Sequence, residues 1–113
     1  MDNLELNIYE ETGEEKNTKL VVEILNTSFK QRSSSFLLGE MGEALVSTYG
    51  KNIVFDLTAA DYINSTGLGS IMNIQKTAIQ KSKKISFRFN NELEKLINVT
   101  SFNKIADVEF VDK

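Results

Sequence analysis

The hydroxyl groups of Ser65 and Thr66 are the side chains that the sequence places best for regulatory chemistry. They belong to the run Asn64-Ser65-Thr66-Gly67-Leu68-Gly69, between an apolar strand pattern and a helical pattern. The free backbone N–H groups and the dipole of a helix start favour an anion there. A phosphate would add a charge of about −1.5 to −2 and would disturb any protein surface packed on this tip. Ser65, with Thr66 as the alternative, is therefore a candidate phospho-acceptor.

A purely structural interpretation of Ser65 is also open, because serine is common at helix N-caps for its hydrogen bond alone. Gly67 and Gly69 would keep the loop and the first helical turn uncrowded under either interpretation. Lys30 and Arg32 are candidates to pair with a phosphate or with an acidic partner, and otherwise they are solvated surface charges.

The composition excludes several kinds of site. The 113-residue chain has no cysteine and no histidine, which removes the usual zinc, iron and copper ligands, thiol chemistry and a Ser-His-Asp triad. Its net charge of −3 argues against a strong hold on nucleic acid or on an anionic membrane. The acidic start is unlike a signal peptide, and no apolar run is long enough to span a membrane. We expect a cytoplasmic protein with no metal, no cofactor and no nucleic-acid or membrane partner.

The periodicity of apolar residues predicts a single α/β domain over residues 1–113. Strand patterns occupy 4–9, 20–25, 52–57, 85–89 and a short stretch around Val108 and Phe110. Helical spacing begins after the serines at 33–35, again at 66–82, and after Asn91. A polar turn at 12–17 joins the first two strands into a hairpin. The order β-β-α-β-α-β-α-β requires parallel crossovers, so we expect a mixed sheet of about five strands.

Each predicted helix has a capping signal and an apolar stripe. A serine at 33–35 would cap the first helix, Gly50 would end it, and Asn91 with Glu94 would form a capping box for the third. Gly39 and Gly42 weaken the first helix, each by up to about 1 kcal/mol relative to alanine. The predicted buried stripes are Leu37, Met41, Ala44, Leu45 and Thr48 in the first helix, Leu68, Ile71, Met72, Ala78 and Ile79 in the second, and Leu93, Leu96 and Ile97 in the third.

Two blocks of the chain carry a resemblance to a known family. The first is Ile53-Val54-Phe55-Asp56-Leu57 followed by Asp61-Tyr62-Ile63-Asn64-Ser65-Thr66-Gly67-Leu68-Gly69. The second is Leu96-Ile97-Asn98-Val99-Thr100-Ser101-Phe102-Asn103-Lys104-Ile105. In these blocks, in their spacing and in the order of elements, the chain resembles the STAS domain of bacterial anti-sigma factor antagonists. The family reads Asp-Ser-Ser/Thr-Gly-Leu-Gly in the first block and Leu-Phe-x-apolar-Ser/Thr-Gly-Leu in the second, after its third helix.

The resemblance implies a STAS-like fold and a function by binding rather than by catalysis. In the family, the dephosphorylated protein binds an anti-sigma factor that is also a serine kinase, and this partner switching releases a sigma factor for transcription. Phosphorylation of the serine that matches Ser65 blocks the binding, and a serine phosphatase restores it. The residues expected to contact the partner are Asn64, Ser65, Thr66, Gly67, Leu68, Lys30 and Arg32.

Three departures from the family pattern stand in this chain. Asn64 replaces the aspartate before the serine. Thr27-Ser28-Phe29-Lys30 stands where the family has Gly-Glu-apolar-Asp, so a basic residue replaces an acidic one. The family has a further C-terminal helix, and because the sequence stops at Lys113 we expect that helix to be absent.

Two other functions remain open from the sequence. The protein could keep the STAS fold without phosphorylation, as a scaffold or as a subunit of a larger regulatory or transport complex, which Asn64 and Lys30 favour. Asp56 and Asp61 flank the loop before Ser65, and paired carboxylates can do acid–base work in an enzyme. Nucleotide binding at the same tip is a variant of the second alternative.

Overall fold

A mixed β-sheet with helices packed on one face forms the frame of the protein. The computed structural model describes residues 4–14, 17–49 and 52–112. Its strands are β1 (Leu6–Thr12), β2 (Thr18–Ile24), β3 (Ser28–Phe29), β4 (Asn52–Leu57), β5 (Tyr62–Ile63), β6 (Ile85–Asn90) and β7 (Asp107–Val111). Its helices are α1 (Arg32–Thr48), α2 (Ser65–Gln80) and α3 (Glu94–Thr100).

The main sheet within these described ranges has five strands in the order β1-β2-β4-β6-β7. Strands β1 and β2 pair antiparallel, and every other neighbouring pair is parallel. This is the mixed sheet that the alternation of strands and helices predicts, because a helical crossover returns the chain in the same direction. The predicted hairpin is confirmed, although residues 15 and 16 of its turn lie outside the described residues.

The strands β3 and β5 form a separate two-stranded parallel sheet that the sequence analysis missed. Ser28 lies opposite Tyr62, and Phe29 lies opposite Ile63. The sequence patterns assigned no strand to residues 26–32 or to the loop before Ser65. Two residues are too few to show a period-two pattern, so this pairing has no signal in the sequence alone.

The core lies between the main sheet and the helices. Phe55 and Phe87, neighbours on β4 and β6, stack with ring centroids 5.5 Å apart. Phe102, from the turn after α3, meets Phe87 edge to face at 5.2 Å. These rings are fully or almost fully buried, and such aromatic pairs contribute about 0.5–1.5 kcal/mol beyond the burial of their area.

Helix α1 buries a different face from the one that its sequence predicts. Leu37 is 41% exposed, and Ala44 and Thr48 are also exposed. Only Met41 and Leu45 of the predicted stripe pack against the core, as half-buried side chains. The face that is buried consists of Ser34, Ser35, Leu38, Gly39, Gly42 and Val46. Small residues on this face let α1 approach α2 closely, and apolar periodicity cannot report a contact that glycine and serine make.

The two glycines of α1 are required by that close approach. A Cβ atom on Gly42 would lie 2.6 Å from Ile74 Cγ1, and one on Gly39 would lie 3.0 Å from Ser70 Oγ. The helices run in the same direction, since Glu43 is also bonded to Thr77, farther along both of them. The low helix propensity of Gly39 and Gly42 is therefore offset by packing that larger residues would prevent.

Helices α2 and α3 bury most of their predicted stripes. Ile71 and Ala78 are buried, but Ile79 is 60% exposed, and the inner position that we missed is Ile74. In α3, Ile97 is buried and Leu96 is half-buried, as expected. The prediction for Ile79 was wrong.

The predicted caps are mostly wrong by a few residues. Helix α1 begins at Arg32 after Gln31, whose side chain makes no capping hydrogen bond, so no serine of 33–35 caps it. Asn90, rather than Asn91, caps a 3-10 turn at Asn91–Leu93 that leads into α3. Gly50, the predicted C-terminal cap, lies outside the described residues. No helix in the described part of the chain is long and apolar enough to cross a membrane.

Candidate functional site

Ser65 is the first residue of α2, and Asn64 is the residue that caps this helix. Asn64 has an extended backbone with φ −79° and ψ 175°, and its Oδ1 accepts a hydrogen bond from the Gly67 N–H at 2.7 Å. Asparagine is among the best N-cap residues for this bond. The capping interpretation of Ser65 is therefore wrong, because the neighbouring side chain does that work.

The side chain of Ser65 is exposed, and within the described residues it makes no hydrogen bond. Its hydroxyl lies at the end of α2 where backbone N–H groups lack partners inside the helix. Thr66, the alternative acceptor, is half-buried. Of the two hydroxyl groups, that of Ser65 is the more accessible to another protein.

A second helix supports the cap from the side. Ser35 Oγ in the first turn of α1 lies 3.0 Å from Asn64 Oδ1 and 2.9 Å from the Gln31 carbonyl oxygen. A hydroxyl has a single hydrogen, so it donates to one of these acceptors at a time. Ser70 Oγ in turn donates to the Ser35 carbonyl oxygen at 2.7 Å. The start of α2 is thus hydrogen-bonded to the start of α1.

Gly67 is needed for this cap. It is buried, and a Cβ atom there would lie 2.8 Å from Ile63 Cγ2 and 3.2 Å from Asn64 Oδ1. A Cβ atom on Gly69 would meet nothing within 4 Å. The prediction that both glycines keep the turn uncrowded is confirmed for Gly67 and is wrong for Gly69, which has no steric reason to be glycine.

The small β3–β5 sheet brings Lys30 and Arg32 beside the start of α2. The Asn64 N–H donates to the Phe29 carbonyl oxygen at 2.9 Å. Lys30 is the residue after Phe29 and Ser65 is the residue after Asn64, so the backbones of Lys30 and Ser65 both adjoin this hydrogen bond. Both cationic side chains are exposed. The Arg32 guanidinium lies 5.5 Å from the centroid of the Phe36 ring, which is a cation–π contact.

Of the predicted site, Ser65, Lys30 and Arg32 are open to a partner. Asn64, Thr66 and Leu68 are half-buried, and Leu68 packs against the core. Gly67 is buried beneath them. The sequence predicted this grouping through resemblance alone, since Lys30 and Ser65 are far apart in the chain.

Sequence reasoning missed Ser35, Phe36 and Tyr62 as parts of this region. Ser35 was interpreted as a helix cap or loop residue, but it is fully buried and reaches Asn64. Phe36 and Tyr62 are 51% and 48% exposed. A buried serine and an exposed aromatic ring both depart from the usual pattern. The burial of Ser35 is explained by its contacts with Asn64 and Ser70 at the start of α2.

The carboxylates considered for catalysis are engaged separately. Asp56 Oδ1 accepts hydrogen bonds from the backbone N–H and the hydroxyl of Thr58 at 3.0 and 2.7 Å, and its Oδ2 lies 3.8 Å from Arg88. Asp61 Oδ1 lies 3.1 Å from Asn90 Nδ2. Each carboxylate therefore has a structural partner of its own. In the described part of the chain no group of acidic residues is arranged to hold a metal ion.

Asn90 anchors the loop that leads to Ser65. Its side chain is fully buried, and Nδ2 lies 2.9 Å from the Thr58 carbonyl oxygen and 2.8 Å from that of Ala60. Its Oδ1 accepts from the Glu92 N–H at 2.8 Å. The end of β6 therefore holds the chain between β4 and β5 in place.

Several solved structures are similar to this chain. An anti-sigma factor antagonist from Mycobacterium paratuberculosis aligns with a TM-score of 0.67 at 17% identity, over 92% of this chain and 85% of the other. The anti-sigma factor antagonist SpoIIAA in its unphosphorylated form aligns with a TM-score of 0.63 at 9% identity, over 98% and 89% of the two chains. A DUF3478-family protein with a SpoIIAA-like fold from Shewanella loihica gives 0.55 at 12%, over 100% and 90%.

These likenesses show that the protein has the STAS fold of SpoIIAA, as the sequence predicts. At such low identity they concern the fold alone. No protein-family model matches the chain. A search of curated proteins finds no significant match either.

Proposed function

We propose that this protein is an anti-sigma factor antagonist that works by binding. Its unphosphorylated form binds an anti-sigma factor with serine kinase activity through the tip around Ser65 and thereby releases a sigma factor. Phosphorylation of Ser65 ends the binding, and a serine phosphatase restores it. The STAS fold and the residues of the Ser65 segment support this proposal together.

The observation that carries the proposal is that Asn64, rather than Ser65, caps α2. Asn64 caps α2, so Ser65 is left exposed at the first helical position without a structural task. Exposed residues on a rigid scaffold often carry function. Because Asn64 and Ser35 hold the turn, a kinase could reach the Ser65 hydroxyl without unfolding the helix.

A phosphate on Ser65 is compatible with this fold and opposes the binding of a partner. Neither α1 nor α2, whose first turns are fully described, has an acidic residue in its first turn. The dipole of α2 would therefore stabilise the phosphate without nearby repulsion from the same turn. A partner surface packed on the tip would have to desolvate about two negative charges, which strongly opposes association.

The kinase supplies the chemistry of phosphoryl transfer. The Ser65 oxygen forms the new bond to the γ-phosphorus of ATP, ADP leaves, and the hydroxyl proton passes to a base of the kinase. The phosphatase reverses the modification with water and releases inorganic phosphate. This protein needs to supply only an accessible hydroxyl and a rigid turn.

The test is a reconstitution with purified anti-sigma kinases from the source genome. Incubation with ATP and Mg²⁺ should add one phosphate, located on Ser65 by mass spectrometry, and Ser65→Ala should prevent it. Calorimetry should show a one-to-one complex that is lost after phosphorylation. Modification of Thr66 in the wild type would transfer the role to the alternative acceptor, and no modification with any of these kinases would refute the switch.

A STAS scaffold without phosphorylation is the second candidate, because Asn64 and Lys30 change the charge beside Ser65 relative to the family pattern. The two candidates predict different behaviour of Ser65→Asp. An unchanged affinity of this variant for the partner would favour the scaffold, and a large loss would favour the switch.

A further inference from the structure

The charged side chains at the tip are not evenly spread. Lys30 and Arg32 lie on one flank, between β3 and the first turn of α1. On the flank that follows β6, Glu92 lies within the 3-10 turn and Glu94 begins α3. Asp61, before β5, has its carboxylate directed toward Asn90. The basic flank is therefore local, in a chain whose net charge is −3.

The basic flank is also fixed in place. The Asn64–Phe29 and Asp61–Thr27 backbone hydrogen bonds, at 2.9 and 2.8 Å, hold the chain on both sides of β3. The Arg32 guanidinium makes a cation–π contact with the Phe36 ring, 5.5 Å from its centroid, which favours one position of the cation. A preorganised cation loses less entropy when it binds than a free one does, so this flank is suited to recognition.

Two further features of the flank attract a negative partner. The N-terminal ends of α1 and α2 meet here, linked by Ser35 and Asn64, and each contributes positive partial charge. Phe36 is 51% exposed and presents an apolar ring beside Arg32. The combination of cations, helix ends and an exposed ring fits a protein segment that carries carboxylates.

We propose that Lys30, Arg32 and Phe36 form a docking surface for an acidic segment of the protein partner, beside Ser65. This inference rests on the proposed function and adds the chemistry of the partner to it. The same cations would then face the phosphate when Ser65 is modified, so the phosphate competes with the partner's carboxylates for them. Charge complementarity is the argument for a protein segment of this kind.

The first test compares two double charge reversals in the complex with the kinase partner. Lys30→Glu/Arg32→Glu should weaken binding at least about tenfold, mainly through slower association. Lys81→Glu/Lys84→Glu makes the same change in net charge beyond the far end of α2, on exposed residues, and should change affinity less than about twofold. The affinity of the wild type should fall with added salt, and that dependence should be weaker in the first variant.

The outcomes separate the two proposals. If the wild type binds and Ser65→Asp does not, but Lys30→Glu/Arg32→Glu binds as well as the wild type, the docking surface is refuted and the switch stands. If the wild type binds none of the kinases, the switch is refuted, and the surface is judged by a peptide probe.

The probe is a ten-residue peptide of alternating glutamate and leucine, titrated into the labelled protein by NMR, with a glutamine–leucine peptide as control. Shift changes centred on Lys30, Arg32 and Phe36 for the acidic peptide alone would support the surface. Changes that are absent, or that centre on Lys81 and Lys84, would overturn it.

Discussion

Ser35, in the first turn of α1, and Asn64, the N-cap of α2, are 29 residues apart in the chain and link the starts of the two helices. Their side-chain oxygens are 3.0 Å apart, and Asn64 also accepts from the Gly67 N–H at 2.7 Å. One amide oxygen therefore serves both as the cap of α2 and as its link to α1. The exposed hydroxyl of Ser65 is presented from this fixed point.

Loss of the cap should lower stability without removing the phospho-acceptor. Asn64→Ala removes the bond to Gly67 and leaves Ser35 with one acceptor, and we expect a loss of about 1–2 kcal/mol in urea unfolding. Asn64→Asp keeps an acceptor of equal capping quality and should lose less than about 0.5 kcal/mol. An alanine variant as stable as the wild type would show that the cap is unimportant.

The two glycines of the Ser65 turn should respond in opposite directions to alanine. Gly67→Ala places a methyl group 2.8 Å from Ile63 Cγ2, and overpacking of this kind costs about 1–3 kcal/mol. Gly69→Ala enters open space within α2 and should stabilise by about 0.5–1 kcal/mol. Thermal or urea unfolding of both variants measures the contrast, and equal effects would contradict the packing at Gly67.

The contact of Gly42 with Ile74 should appear as a coupling between two substitutions. Gly42→Ala crowds Cδ1 and Cγ1 of Ile74 and should cost about 1–3 kcal/mol. Ile74→Val removes Cδ1, the atom that lies closest, so Gly42→Ala should cost less in that background. A double-mutant cycle of unfolding free energies tests this, and strict additivity would argue against the close approach of α1 and α2.

Charge at position 65 should act on the fold and on binding with opposite signs. Ser65→Asp puts a carboxylate at the start of α2 and should stabilise the protein by about 0.3–1 kcal/mol at low salt, while Ser65→Lys should destabilise it by a similar amount. Ser65→Asp should nevertheless weaken the complex with the kinase partner. Unfolding at two salt concentrations and calorimetry on the same samples separate the effects. A destabilising aspartate would contradict the helix-start position.

The hydrogen bond between Tyr49 and Glu10 predicts a pH dependence. The Tyr49 hydroxyl donates to Glu10 Oε1 at 2.7 Å, and this bond, assisted by desolvation and the negative charge of Glu10, raises the pKa of Tyr49 above its ordinary value of 10.0. A raised pKa means that the bond stabilises the fold at pH values below 10.0 and that this contribution is lost as the pH rises through the higher folded pKa. An absorbance titration should show a tyrosine that ionises late, and Glu10→Gln should lower its pKa.

The strands and the element order follow from local patterns in the sequence. Ile85–Asn90 shows the alternation, and Asn52–Leu57 the apolar run, that are typical of buried strands. Both strands could therefore be recognised without knowing which strands pair with them. The position of Ser65 at a helix start is local too. Its grouping with Lys30 came from resemblance to a family.

The errors share one physical cause, which is contact between distant parts of the chain. The β3–β5 pairing depends on two segments that are each too short to show a pattern. The buried face of α1 is made of small residues because α2 lies against it, and the resulting shift left Leu37 exposed.

The sequence by itself determined the mixed α/β fold and the exposed hydroxyl at the start of its second helix, because strand alternation, helical spacing and helix polarity are properties of neighbouring residues. Only the tertiary structure decided that Asn64 caps the helix, that Ser35 supports the cap, and that the Asn64 N–H is bonded to Phe29 of β3. Those relations depend on how α1, α2 and β3 pack, and packing distances are set by side chains that meet across the fold.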